Sequence, residues 1–340
     1  MTTTSVTRPA PSGAPTPADR RLARRQVAIF LGTTFTLLAV STGIGKALGV
    51  DVSQIQDAPP AGQAAMYGQA LWPSVGAVVA LLATRRSLRN AGWGLRRTSW
   101  RSVGIGWLFA VVVGLTAPAV LWGSGLAGFD STGFGLHLAL SLLVLPLPYC
   151  VLALAEDLGW RGVLVPRLAE LGGPRLVVLG GGLAWAVFHW PLILFHGGAP
   201  AGAPRLWALA MFTIGAVALG AVLAWMWLRW GQWPGIVAHA TINAIGYHLV
   251  APATVHREHT GWFATESGLG AAVVLVLAAV VWLRFAPLRR VNGRTVALAR
   301  TEGCVDDQVV RTSEARDDWG AGRVRRGTSE ARDDWRRGED

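Results

Sequence analysis

The sequence predicts an all-α, polytopic membrane protein with about eight transmembrane helices and both termini in the cytoplasm. Three observations predict this fold class. Hydrophobic residues make up 52% of the 340-residue chain and charged residues only 15%, with 17 Trp and 42 Gly. Apolar runs of close to the ~20 residues that cross a hydrocarbon core recur along the chain. Basic residues are concentrated in alternate connections between these runs, as the positive-inside rule requires.

The apolar runs define the predicted spans, and the connections between them define the orientation. The runs cover residues 27–50, 64–84, 103–123, 137–155, 176–196, 206–228, 234–251 and 267–285. The connections 50–65, 124–136 and 197–204 contain no Arg or Lys, and 252–266 contains only Arg257. The other connections hold Arg85, Arg86, Arg89, Arg96, Arg97 and Arg101, then Arg161, Arg167 and Arg175, then Arg229. This alternation predicts that both termini are inside.

Three regions are expected along the chain. Residues 1–25 are predicted to be a disordered, basic N-terminal segment. Residues 26–286 form the predicted transmembrane domain, and residues 287–340 a disordered cytoplasmic tail. The first run is as long as a bilayer span and longer than the apolar part of a signal peptide, so it is predicted to be a retained helix.

The tail ends in a duplicated octapeptide, Thr-Ser-Glu-Ala-Arg-Asp-Asp-Trp, at 312–319 and 328–335. Two copies are too few for a solenoid, so the repeat is interpreted as part of the solvated tail. An alternative is a partner-binding role for Trp319 and Trp335.

The positive charge is interpreted as a topology signal. The net charge is +11, Lys46 is the only lysine, and the arginines lie mainly between the apolar runs. No basic stripe with interleaved aromatic residues stands apart from the spans, which argues against nucleic-acid binding. The arginine bias favours a multi-pass protein of a bacterial cytoplasmic membrane. Cys150 and Cys304 have no spacing typical of a metal site or a structural disulfide.

Three polar clusters interrupt the apolar runs. They are Glu156-Asp157-x-x-x-Arg161, His189 and His239-x-x-x-Asn243. Ionisable side chains inside hydrocarbon-length segments are costly and indicate a functional site. A carboxylate, two imidazoles and an amide on separate helices suggest a site that activates water.

Each cluster also has a structural interpretation. Asp157 and Arg161 are spaced i, i+4, so they can pair on a helix, and the cluster can equally mark the membrane interface. His189 lies among aromatic residues, where a histidine is often a hydrogen-bonded packing group. His239 and Asn243 are one helical turn apart and can form hydrogen bonds between helices. His196 is a weaker candidate on the face of His189.

Taken together, the clusters resemble the motifs of the CAAX-protease and bacteriocin-processing (CPBP, or Abi) family of intramembrane proteases. That pattern is Glu-Glu-x-x-x-Arg, then Phe-x-x-x-His, then His-x-x-x-Asn or Asp. The matches here are Glu156-Asp157-x-x-x-Arg161, Trp185-x-x-x-His189 and His239-x-x-x-Asn243, within a region of about 90–250. The sequence departs from the pattern at Asp157, which replaces a glutamate, and at Trp185, which replaces a phenylalanine.

The resemblance implies an intramembrane endopeptidase that cleaves a peptide or a membrane-associated protein. By this resemblance, Glu156 is the general base and His189 helps to hold the attacking water. His239 and Asn243 stabilise the oxyanion, and Asp157 pairs with Arg161 in support.

A metal-dependent version remains open, in which His189, His239 and Glu156 hold a divalent ion such as zinc. The clusters do not form the His-Glu-x-x-His pattern of many zinc proteases, so no cofactor is assigned.

The depth of Glu156 requires a particular helix geometry. Glu156 falls near the inner end of its run, whereas His189 is roughly 21 Å beyond Arg175 at 1.5 Å per residue. Pro146 and Pro148 are therefore predicted to break the fourth helix, so that a second part continues past Glu156. This geometry places Arg161 at the cavity rim.

Two other functions compete with the protease. One is a non-catalytic immunity or regulatory protein on the same scaffold, with the clusters retained for packing. The other is a transporter, which the glycines and proline-interrupted spans would suit. The sequence shows no inverted repeat between its halves, and all four proposed catalytic residues are present, so the protease is preferred.

Overall fold

A computed structural model describes residues 13–89, 91–95 and 98–298, and these residues are almost entirely helical. The α-helices are α1 (Pro17–Ala47), α2 (Pro60–Tyr67), α3 (Trp72–Ala83), α4 (Trp100–Gly123), α5 (Phe134–Ala139), α6 (Pro146–Gly159), α7 (Val165–Leu171), α8 (Gly181–Phe195), α9 (Arg205–Trp230), α10 (Gln232–Ile245), α11 (Ala251–Ala253), α12 (Thr260–Phe263) and α13 (Leu269–Phe285). π-Helical segments occupy Leu140–Val144, Trp160–Leu164, Leu176–Gly180 and Gly246–Val250, and 3₁₀ turns occupy Val52–Asp57 and Gly68–Leu71. The antiparallel strand pairs are β1 (Gly128–Phe129) with β2 (Thr254–Val255), and β3 (Leu288–Val291) with β4 (Arg294–Ala297).

The helices confirm the predicted class, an all-α polytopic membrane protein. Five helical segments are long and apolar enough to cross a bilayer: Pro17–Ala47, Pro60–Ala83, Trp100–Gly123, Leu176–Phe195 and Arg205–Trp230. A sixth arises if the bent pair Phe134–Val144 and Pro146–Leu171 is one span. The last two predicted runs coincide with α10 and its π-helical extension and with the shorter α13. The count of eight spans and the cytoplasmic termini stay predictions.

The outer surface of the helix bundle is apolar. Leu108 on α4, Leu147 on α6 and Leu277 on α13 each expose more than half of their surface. In water such a surface would be costly, whereas hydrocarbon solvates it without penalty. The exposed side chains therefore mark the faces that contact lipid.

Helix α1 begins at Pro17, which lies within the segment 1–25 predicted to be disordered. Thr16 caps the helix: the Asp19 amide donates to Thr16 Oγ1 at 3.2 Å, and the Asp19 carboxylate accepts from the Thr16 amide at 3.0 Å. This capping box, with proline at the first helical position, stabilises a helix start nine residues before Gln26, a side chain that is fully buried. Residues 17–25 are therefore helical, and the predicted start of the helical domain at residue 26 is nine residues too far along the chain.

The start of the predicted tail also folds. Strands β3 and β4 form a hairpin closed by Asn292 and Gly293, with φ of 47° and 73°. Asn-Gly favours such a two-residue turn because both positions need positive φ. The Thr295 hydroxyl donates to the Gly172 carbonyl at 2.8 Å, and Arg294 pairs with Glu170 at 3.6 Å. The hairpin thus packs against the end of α7, contrary to the predicted disorder of this part of the tail.

Two other predictions fall on parts of the chain that the structure does not describe. The expected disorder of the extreme N-terminus concerns residues 1–12, and the duplicated octapeptide lies within 299–340. Both lie outside the described residues.

Small residues bring the helices that carry His189 and His239 into close contact with neighbouring helices. Gly182 on α8 faces the Cα of Val217 on α9, and Gly106 on α4 faces the carbonyl of Pro234 on α10. In a bilayer, such close approach lets van der Waals packing hold helices together. Helix α10, which carries His239, is positioned by its packing against α4, α6 and α9.

A side chain at Gly106 is expected to disturb this packing. A Cβ there would overlap the carbonyl oxygen of Pro234, which is backbone and cannot rotate away. We expect Gly106→Val to lower the free energy of unfolding in detergent by about 1–3 kcal/mol, as overpacking does. The matched control is Gly104→Val on the same helix, where a Cβ meets nothing within 4 Å. Equal unfolding midpoints for the two variants would contradict the close contact between α4 and α10.

Candidate active site

The fourth helix is bent where the prolines predict it. Phe134–Val144 and Pro146–Leu171 meet at an angle of 49°, which confirms the predicted break. Glu156 then lies about 15 residues, or roughly 22 Å, before the end of α7 at Leu171. His189 lies about 13 residues, or roughly 20 Å, after Leu176, where the next helical segment begins. The helix that continues past Glu156 to Leu171 therefore leaves Glu156 about as far from its end as His189 lies from the start of the next helical segment.

Asp157 and Arg161 form the predicted ion pair. Arg161 Nη1 lies 2.5 Å from Asp157 Oδ1, and both side chains are buried. Gln232, also buried, donates to the backbone carbonyl of Asp157 at 2.8 Å. Arg161 belongs to the π-helical segment that continues α6, so it is neither a loop charge nor a residue of the cavity rim. Both of those predictions are wrong, because the paired carboxylate makes burial of the guanidinium affordable.

His239 faces this ion pair. Its Nδ1 lies 3.6 Å from Asp157 Oδ1, within ion-pair distance but too long for a hydrogen bond. Within the described residues, His239 Nδ1 and Asp157 Oδ2 are both buried without a hydrogen-bond partner. The first and third polar clusters are therefore adjacent in space.

Glu156 points to a different neighbour. Its Oε2 accepts a hydrogen bond from the indole Nε1 of Trp185 at 3.2 Å, and the side chain is half-buried. Glu156 and Asp157 thus separate on the helix, one towards the indole and the other towards Arg161. Within the described part of the chain, Glu156 Oε1 accepts no hydrogen bond, which leaves it free to bind water.

Only one ring nitrogen of His189 has a hydrogen-bond partner among the described residues. Its Nδ1 lies 2.9 Å from the carbonyl oxygen of Trp185. A carbonyl only accepts, so this contact assigns the proton to Nδ1 and leaves the lone pair on Nε2 in the neutral ring. Phe188 and Phe212 pack against the imidazole, with ring centroids at 5.4 and 5.2 Å. The half-buried ring therefore has a fixed orientation and one available nitrogen.

Trp185 joins all of these groups. Besides its hydrogen bond to Glu156, its ring makes edge contacts with His189 at 5.9 Å and His239 at 5.3 Å. The Arg161 guanidinium lies 4.1 Å from its centroid, a cation–π contact. In the sequence, Trp185 is only a departure from a motif, and its role as the common contact was missed.

Asn243 lies near the other site residues without a described contact to them. It lies one turn beyond His239 on α10 and is half-buried. No described contact joins its amide to the other clusters. The structure therefore brings Glu156, Asp157, Arg161, His189 and His239 together, and it leaves Asn243 on the same helix face without a direct link.

The structure adds a carboxylate that sequence reasoning missed. Glu266 lies in the loop before α13, and its carboxyl interacts with the hydroxyl of Tyr247 by a hydrogen bond. Desolvation raises the pKa of Glu266, and the Tyr247 hydrogen bond acts against this rise. In the sequence, Glu266 looks like a residue that marks the start of an apolar run.

Two other histidines have roles in the structure away from this cluster. His196 is buried, and its Nδ1 lies 3.0 Å from the carbonyl oxygen of Val50. His248 Nε2 lies 3.1 Å from the hydroxyl of Tyr149. The weaker candidate His196 is therefore engaged with the chain after α1, outside the site.

The residues do not form a ready metal site. Within the described residues, no three His, Cys, Asp or Glu side chains converge closely enough to hold an ion. As arranged, His189, His239 and Glu156 are not close enough together to share a divalent ion, and no step below uses one.

A comparison with known families covers the part of the chain that carries these clusters. The family model described as type II CAAX prenyl endopeptidase Rce1-like matches residues 137–245. The match confirms the resemblance to the CAAX-protease family and supports a CAAX-type intramembrane protease. It spans all three polar clusters and ends before Glu266. No curated protein matches the chain.

Proposed function

We propose that this protein is an intramembrane endopeptidase in which a glutamate-activated water hydrolyses a peptide bond. The observation that carries the proposal is the convergence of Glu156, His189 and His239 around Trp185. Glu156 supplies a general base, His189 a nitrogen that can hold the attacking water, and His239 a buried imidazole that can stabilise the oxyanion. Hydrolysis of an amide uses groups of these kinds.

The proposed reaction begins with Glu156. Its free oxygen takes a proton from a water that also hydrogen-bonds to Nε2 of His189, and the hydroxide attacks the scissile carbonyl carbon. His239 and the amide of Asn243 donate hydrogen bonds to the oxyanion. When the tetrahedral intermediate collapses, the C–N bond breaks and Glu156 returns its proton to the leaving amine.

The surroundings of the site suit this role. Asp157 and Arg161 neutralise each other, so the buried charge beside His239 is balanced. We propose a peptide or a membrane-associated protein as the substrate, reached from the bilayer or the cytosol, and the bacterial cytoplasmic membrane as the location. The polytopic fold and the family match support these assignments.

His239→Ala is expected to reduce cleavage of a peptide library by proteoliposomes about 10²–10³-fold, because an oxyanion donor contributes that much. Product peptides are quantified by mass spectrometry. His259→Ala is the matched control, since its side chain lies in a loop and is 68% exposed. Equal rates for wild type and His239→Ala would contradict the proposed role, and a wild-type protein that cleaves no peptide would favour a non-catalytic membrane protein.

A further inference from the structure

The two departures from the protease motif, Asp157 and Trp185, are in contact through one residue. Arg161 pairs with the Asp157 carboxylate at 2.5 Å and lies 4.1 Å from the centroid of the Trp185 ring. All three side chains are buried. The positions that differ from the motif therefore form one continuous unit.

The indole of Trp185 also performs a function that the phenylalanine of the motif cannot. Its Nε1–H donates to Glu156 Oε2 at 3.2 Å, and a hydrogen bond to a carboxylate is among the stronger side-chain contacts. This bond fixes one oxygen of the proposed base and leaves the other for water. A benzene ring has no donor at this place.

We propose that Trp185 is a positioning residue that orients the Glu156 carboxylate and couples it to the buried Asp157–Arg161 pair. The Arg161 guanidinium packs on the Trp185 ring and fixes the plane of the indole. The indole N–H then fixes the position of the Glu156 carboxylate. The shorter Asp157 and the larger Trp185 compensate each other through Arg161. This inference rests on the proposed function, because it assumes that Glu156 is the base.

The first test removes the indole donor. We expect Trp185→Phe to lower kcat about tenfold or more, with KM changed less than twofold, because the base is misaligned while peptide binding is retained. The matched control is Trp190→Phe on the same helix, whose indole donates to Thr213 Oγ1 at 3.0 Å, away from Glu156. Wild-type kcat in a folded Trp185→Phe protein would overturn the inference.

The second test measures the coupling. Asp157→Glu and Trp185→Phe are made singly and together, which restores the motif at both positions. We expect kcat of the double variant to exceed the product of the two single effects at least about fivefold. Effects that simply multiply would overturn the proposed compensation through Arg161.

A third readout does not depend on activity. In protein labelled with ¹⁵N-tryptophan, the Trp185 indole resonance is identified by its loss in Trp185→Phe. Glu156→Gln is expected to move that resonance upfield, because an amide is a weaker acceptor than a carboxylate. An unmoved resonance overturns the positioning role. If the resonance moves but no form of the protein cleaves peptide, the positioning contact stands and the proposed protease function fails.

Discussion

Replacing Glu156 by glutamine is expected to reduce the rate of peptide cleavage about 10²–10⁴-fold, the range that a general base contributes. Glutamine has nearly the same shape and still accepts a hydrogen bond from the Trp185 indole, but it cannot take a proton from water. The loss should therefore appear in kcat, while KM stays close to the wild-type value. The measurement is the steady-state rate of purified protein in proteoliposomes.

The matched control for this variant is Glu258→Gln. Glu258 lies in a loop, and its side chain is 88% exposed, so its substitution is expected to leave the rate unchanged. A Glu156→Gln protein that unfolds at the wild-type midpoint and still cleaves at the wild-type rate would contradict the role of Glu156 as the base.

Asp157→Ala is expected to cause the largest loss of stability, about 3–5 kcal/mol in the free energy of unfolding. The substitution leaves the Arg161 guanidinium buried without its carboxylate, and desolvation of the unpaired charge is what destabilises the fold. The measurement is unfolding of the purified protein in an SDS titration. Asp157→Leu combined with Arg161→Leu should be less destabilised than Asp157→Ala, because no orphaned charge remains.

The control for this second prediction is Glu170→Ala. Glu170 pairs with Arg167 at 2.7 Å and with Arg294 at 3.6 Å, but all three side chains are partly exposed, so each ion pair should contribute about 1 kcal/mol or less. Similar losses for Asp157→Ala and Glu170→Ala would show that burial of the Asp157–Arg161 pair has no particular energetic weight.

The helical architecture was largely predictable because it depends on local chemistry. Runs of apolar residues with hydrocarbon length must form helices, since lipid offers no partner for backbone groups. Pro146 was also informative, because proline cannot continue the hydrogen-bond pattern of a helix. The positions of Glu156, His189 and His239 could be grouped in advance, because the ordered motifs that carry them resemble those of the CAAX-protease family.

The remaining features of the fold and the site depend on tertiary contacts or on local signals other than hydropathy. Arg161 counts as a loop charge in the sequence, and only the buried Asp157 beside it explains why it lies inside the bundle. The hydrogen bond from Trp185 to Glu156 depends on side-chain directions in two helices. The capping box at Thr16 and the turn at Asn292 were present in the sequence, and both could have corrected the predicted boundaries.

If the three polar clusters form one site that hydrolyses peptide bonds with water, the oxygen of that water must appear in the product. The most direct measurement is mass spectrometry of peptides incubated in H₂¹⁸O with wild-type proteoliposomes or with Glu156→Gln proteoliposomes. Wild type is expected to yield product peptides with ¹⁸O in their new C-terminal carboxylates, and Glu156→Gln is expected to yield almost none. Equal labelled product from both proteins, or no product from wild type with any peptide, would contradict hydrolysis at this site.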